Sequence, residues 1–180
     1  MSTTTFTATP HAADRLERRA LPLVTTTAAV GAALVGGVFF AFSTFVMSAL
    51  DELPAAQGIE AMQAINRTAV RPGLMLALFG TAAACVGVGV VALRRRDRPG
   101  ARWLLAGSTV YLVGVIGVTM AANVPLNDTL AAVHPHAAGA ADAWSDYLTR
   151  WTAWNHVRAA GSIAAAGLLL AGRRRLGLRA

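Results

Sequence analysis

Long apolar runs separated by short polar segments set the plan of this chain. Apolar residues dominate at about 22–50, 71–93, 102–124 and 143–172. Each run is long enough to cross a bilayer, since about 20 helical residues span a hydrocarbon core of about 30 Å. The first and last runs exceed that thickness and predict helices that tilt or project beyond it. The pattern predicts an all-α integral membrane four-helix bundle over residues 21–175. Small residues at helical spacing support close packing of these helices: Ala28, Ala32 and Gly36, then Gly107, Gly114 and Gly117, then Gly161 and Ala165. Lipid removes the hydrophobic drive for helix association, so close backbone approach takes its place.

The segments outside these runs carry patterns of their own. Residues 1–20, MSTTTFTATPHAADRLERRA, read as a flexible tail, and 176–180 as a short basic C-terminal tail. The run after the first tail is too long for a signal-peptide core and reads as a spanning helix. In LPAAQGIEAMQAINRTAV, Ile59, Met62 and Ile65 share one helical face with Gln63 and Asn66 near its edge. That predicts a short amphipathic helix lying on the bundle mouth. In AADAWSDYLTRWTAW, Trp144, Tyr147, Leu148 and Trp151 repeat at helical spacing behind Asp142, a candidate N-cap. The fourth helix is therefore expected to be extended and to begin outside the membrane.

Composition sharpens the class. Hydrophobic residues make up 55% of the chain and charged ones 14%, which is too apolar for an ordinary soluble domain. The net charge of +7 raises nucleic acid as a partner, but all sixteen basic residues are arginines and most abut apolar runs. Arg94, Arg95, Arg96, Arg98 and Arg102 form one cluster; Arg173, Arg174, Arg175 and Arg179 form another. These are topology signals, and they exclude a nucleic-acid reading. With Arg15, Arg18 and Arg19 in the first tail, they place both termini and the middle turn in the cytoplasm. The loops at 51–70 and 125–149 are poor in arginine and face outward. A multi-pass plasma-membrane protein follows, with the lipid bilayer as its first partner; a homo-oligomer is compatible with this plan. Cys85 is the only cysteine, so dithiol–disulfide chemistry is excluded.

Polar residues inside the apolar runs are the candidate chemistry. On a helix, Trp151, Asn155, Arg158 and Ser162 fall on one face, while His156 is turned about 200° from Arg158. An intramembrane arginine that faces other polar groups is a functional candidate by default. The third run ends in Thr119, Asn123 and NVPLND, where Pro125 is expected to stop the helix before Asn127 and Asp128. The first run carries Ser43 among Phe39, Phe40 and Phe42. All these groups lie toward the same, extracytoplasmic end. His134 and His136 form an HPH pair that, with His156, makes a weak candidate metal set.

Four stretches in order resemble the anthrone oxygenase-like family of small four-helix membrane proteins: GGVFFAFSTFVMSAL, EAMQAINRTAVRP, NVPLND and WTAWNHVR. The resemblance runs from about residue 30 to 170. It implies oxidation of an anthrone to an anthraquinone by O2, as members in polyketide pathways do, although most bacterial members are uncharacterised. The shared patterns fall on Asn123, Pro125, Leu126 and Asn127, and on Trp154, Asn155 and Arg158. His156 and the HPH loop lie outside them.

An anthrone CH2 is acidic, and its anion reacts with O2 without a metal or flavin, so O2 is expected as co-substrate and no cofactor. The chemistry asks for a flat apolar pocket, a base, and donors for the oxyanion. Phe39, Phe42, Trp151 and Trp154 are candidate walls. Arg158 with Asn155 or Asn123 would hold the oxyanion. Asp128 and His156 are the candidate bases, and Asn127, Asn66, Gln63 and Ser43 the further substrate contacts. No acid lies deep in a run, which disfavours a proton-coupled exporter. With only His156 inside a run, a bis-His haem site is disfavoured too. A non-enzymatic small-molecule-binding or assembly subunit is the alternative.

Overall fold

The computed structural model describes residues 12–177; residues 1–11 of the expected tail and 178–180 lie outside it. All its regular structure is helical, with no strand among the described residues. Four long helical columns carry the chain. The first joins α1 (Ala12–Ala41), a π-helical turn at Phe42–Val46 and α2 (Met47–Asp51). Next come α3 (Ala55–Ala69) and the second column, α4 (Pro72–Arg94). The third column runs from α5 (Ala101–Tyr111) through π-helical stretches at Leu112–Gly117 and Thr119–Asn123 into α6 (Val124–Ala131). The last is α7 (Ala140–Gly177), 38 residues long.

Three helices, Ala20–Asp51, Pro72–Arg94 and Ala101–Ala131, are long and apolar enough to cross a membrane, which marks a membrane protein. α7 is not one of the three, because Asn155, His156 and Arg158 interrupt its apolar run. The lipid-facing character shows in large apolar side chains that no helix covers, among them Leu34, Phe40, Leu76, Phe79, Val113 and Ile163.

Three expected boundaries move. The first helix takes up residues 12–20, which the sequence suggests are tail. Pro125 does not stop the third column; it sits in the first turn of α6, directly after a π-helical stretch. A wider i→i+5 turn there removes the demand for the backbone bond that proline cannot donate, and it makes room for the ring. Asp142 lies in the first turn of α7 rather than at its cap, since the helix starts at Ala140 behind Gly139, whose φ is 81°.

α1 packs between α4 and α7, and α5 touches the same two, which closes a ring of four. Close approach depends on glycine at a few places. A Cβ on Gly36 would stand 3.0 Å from the Ser162 side chain, and one on Gly107 3.0 Å from Leu169. Gly161 faces Gly114 across the contact between α7 and the third column.

Two apolar clusters fill the ring. One, around Val35, Leu78, Cys85, Val88, Tyr111 and Leu169, occupies most of its length. The other, around Met47, Ile59, Met62, Leu130, Trp144 and Tyr147, sits at the end that α3 covers. Within a bilayer this burial holds the helices by close packing rather than by exclusion of water. Phe39 belongs to the first cluster and Trp151 to the second. Arg158 stacks on both rings, at the seam between the clusters.

Candidate functional site

The 3.6-residue period of α7 places Trp151, Asn155, Arg158 and Ser162 on its inward face, and all four are buried. Arg158 is only 5% exposed. Its Nη2 donates to Asn155 Oδ1 at 2.7 Å. Its guanidinium lies 4.2 Å from the Phe39 ring centroid and 5.0 Å from that of Trp151. Nε is buried with no partner, and no ion pair to Arg158 occurs among the described residues. A desolvated cation is thus held by one amide and two aromatic faces, which suit a planar, weakly hydrated guanidinium better than an ammonium.

Asn155 is fully buried and holds this arrangement to the first column. Its Nδ2 donates to the Phe39 carbonyl at 2.7 Å and to Ser43 Oγ at 2.8 Å. The π-helical turn at Phe42–Val46 loosens the backbone ladder just downstream, with the Met47 N–H bonding to the Phe42 carbonyl. The carbonyls before the turn are taken by side chains, Phe39 by Asn155 and Phe40 by Thr44 Oγ1. An irregular turn at such a point is a common device for turning backbone acceptors toward a site.

The third column contributes from its own π-helical stretch. Asn123 is buried; its Nδ2 donates to the Trp151 carbonyl at 3.2 Å, and its Oδ1 has no partner. One turn on, Asn127 Oδ1 accepts from the Tyr147 hydroxyl at 2.9 Å and from Trp151 Nε1 at 2.8 Å. Trp144, Tyr147 and Trp151 stack in series, with ring centroids 5.7 Å and 6.3 Å apart. Phe42 leans on Trp151 at 5.8 Å.

These residues surround a cavity of about 150 Å³. Phe39, Phe42, Trp151 and Arg158 line it together with Met62, Ile65 and Asn66 of α3 and with Asn127. Val70, 67% exposed, marks the open side. Among the lining residues, the buried polar atoms without a partner are Arg158 Nε and Asn66 Nδ2, both donors. No acidic side chain and no histidine lines the cavity among the described residues. Its walls suit an apolar ring, and the Arg158 guanidinium among them suits negative charge on that ring.

The structure brings together Phe39, Phe42, Asn66, Asn127, Trp151 and Arg158, with Asn155, Ser43 and Asn123 in bonding contact around them. It leaves out the rest. Gln63 Nε2 donates to the carbonyls of Leu130 and Val133, tying α3 to the end of α6. Trp154, expected as a wall, is 45% exposed and faces a separate groove with Pro125 and Arg150. Both candidate bases lie elsewhere: Asp128 is exposed, and His156 is exposed beside Asp51 and Thr152. Each follows an inward-facing asparagine, and successive helical positions point about 100° apart, so each is turned out of the site. His136 Nε2 lies 3.7 Å from Glu60 Oε1 at the surface. No group of three metal-ligating side chains forms among the described residues, so His134, His136 and His156 do not converge.

Tyr147, Met62 and Ile65 join the site without having been singled out for it. The signal for Tyr147 was its spacing with Trp144 and Trp151; that for Met62 and Ile65 was the apolar face of their helix.

Comparison with known proteins places this geometry in context. The sequence model of the family described as anthrone oxygenase matches residues 73–168, more than half of the 180-residue chain. The match includes Asn123, Asn127, Trp151, Asn155 and Arg158, and stops short of Phe39, Ser43 and Asn66. No curated protein and no solved structure matches the chain.

Proposed function

Since the chain belongs to the anthrone oxygenase family, we propose that it is a multi-pass plasma-membrane oxygenase. It oxidises an apolar polycyclic aromatic or phenolic substrate with O2 and uses no cofactor. In this reading all four columns span the bilayer, both termini are cytoplasmic, and the Arg158 cavity lies in the outer half.

The observation that carries the reading is Arg158 itself: a buried cation without a carboxylate, set between two aromatic rings at the wall of an apolar cavity. An anthrone that loses a proton from its CH2 becomes an anthrolate with its charge mainly on oxygen. Arg158, in a low-dielectric wall, stabilises that oxygen and so raises the substrate's acidity. With no acid or imidazole lining the cavity, the proton leaves to water at the open side near Val70. The anthrolate transfers an electron to O2, and radical recombination forms a carbon–oxygen bond. Loss of water from the resulting hydroperoxide leaves the carbonyl. In sum, one CH2 and one O2 become one C=O and one water. A cavity of about 150 Å³ is benzene-sized. It therefore takes the ring that bears the oxyanion, while further rings extend out of the cavity past Val70.

A second reading, a non-enzymatic binding or assembly subunit, has one observation in its favour. The amide nitrogens of Asn155 and Asn123 are spent on backbone carbonyls that tie columns together. The test is O2 consumption by the detergent-purified full chain given a hydroxylated anthrone, with quinone formation followed by absorbance. Turnover above the spontaneous rate, abolished in a folded Arg158→Met variant, supports the oxygenase. A spontaneous rate in both, with the anthrone still binding, leaves the second reading.

A further inference from the structure

We propose that the end of the molecule opposite α3 holds a binding site for the phosphate of an anionic phospholipid. Two arginine clusters far apart in sequence meet there. Arg96 and Arg98 come from the turn between α4 and α5, Arg102 from the first turn of α5, and Arg175 from the last turns of α7. They line one cavity of about 420 Å³ in which, among the described residues, Asp97 is the only acid. Four guanidinium groups against one carboxylate leave three positive charges in excess, and their mutual repulsion is relieved when an anion enters.

Trp103 makes the site more specific than a charge run. The guanidinium of Arg102 lies 5.7 Å from its ring centroid and that of Arg175 lies 5.0 Å away, so the indole gathers both arms. Its Nε1 is buried and has no partner. Orientation by the positive-inside rule needs arginines on one side only, and does not need them to converge around a cavity. Arginine forks match phosphate oxygens two at a time.

The setting selects a lipid over a free phosphate. The cavity lies where α4 ends and α5 begins, at the limits of two helices long and apolar enough to cross a membrane. That is headgroup depth, where indole rings are also at home. Exposed Leu93 and Leu170 stand on the apolar turns leading into it from α4 and α7, as acyl chains would require.

The test is thermal unfolding of the full chain in neutral detergent. Phosphatidylglycerol, phosphatidylcholine or soluble glycerol phosphate is titrated in at matched concentrations. Phosphatidylglycerol is expected to raise Tm saturably, and the other two to do little. The Arg98→Gln/Arg175→Gln double variant should need about fivefold more phosphatidylglycerol for each arginine removed. Arg173→Gln/Arg174→Gln removes the same charge from exposed positions outside the cavity and should keep the wild-type midpoint. Equal effects of the two lipids overturn the proposal, as does an equal effect of glycerol phosphate. So does equal weakening in both double variants, which would mean diffuse attraction without a site. If the first double variant fails to fold, the wild-type lipid preference and the second variant still decide.

Discussion

Arg158 and Asn155 are neighbours on one helical face, yet their removal should have opposite consequences. Arg158 is desolvated and lacks a counterion, so its removal relieves an uncompensated buried charge, which offsets the one hydrogen bond lost from Asn155 Oδ1. Arg158→Met is expected to hold or raise Tm while abolishing turnover; a large fall in Tm would mark the arginine as a structural strut. Asn155→Leu removes the group that bonds Arg158, the Phe39 carbonyl and Ser43 together. Stranding those partners should cost about 2–4 kcal/mol, read from chemical denaturation. The stripe that makes this contrast was legible in the sequence, because four residues at i, i+4, i+7 and i+11 can only share a face. The limits of the stripe were harder to read. Trp154 lies about 40° from Arg158 around the helix, at the edge of the stripe, and packing turned it outward. Asp128 and His156 were attractive as bases by chemistry, but each adjoins an asparagine that faces in, and one helix cannot aim both at one cavity.

At the scale of elements, the three π-helical stretches were invisible to hydropathy, because they change which carbonyl bonds to which N–H without changing which residues are apolar. They decide the site nonetheless, since Asn155 reaches a carbonyl just before the first and Asn123 closes the last. Pro125 was the one audible hint, and its usual meaning, a helix end, was wrong here for the reason that a wide turn precedes it. The amphipathic α3 was legible from Ile59, Met62 and Ile65. What it rests on was not: Gly58 packs flat on Trp144, and a Cβ there would come within 2.8 Å of the indole. Gly58→Val should therefore lift α3 from the cavity, at a cost of about 1–3 kcal/mol. Faster amide exchange in α3 and weaker substrate binding, with the four columns still protected, are the expected signs. An unchanged exchange pattern would show that α3 is not held at this point.

Across the whole molecule, the helical class followed from the apolar runs, and of the four spans that run length suggested, three are long and apolar enough in the structure. α7 meets the length criterion and fails the apolar one, because the residues that build the site dilute it; its packing against α1 and α5 shows its place in the ring. Orientation is open to a direct check. Cys85 is fully buried and should stay silent toward maleimides. An Ala137→Cys thiol in the exposed turn before α7 should react with a membrane-impermeant maleimide in intact cells, and an Asp97→Cys thiol only after permeabilisation. The reverse pattern would invert the molecule and put the Arg158 cavity on the cytoplasmic side.

The two tryptophans that arginines embrace sit at opposite ends of the bundle, Trp151 beside the cavity and Trp103 in the arginine cluster. Indole emission responds to nearby charge and polarity, so the chain carries a separate optical gauge at each end. A variant that keeps only Trp151 would report the filling of one end by colour alone, and one that keeps only Trp103 would report the other, with no label attached.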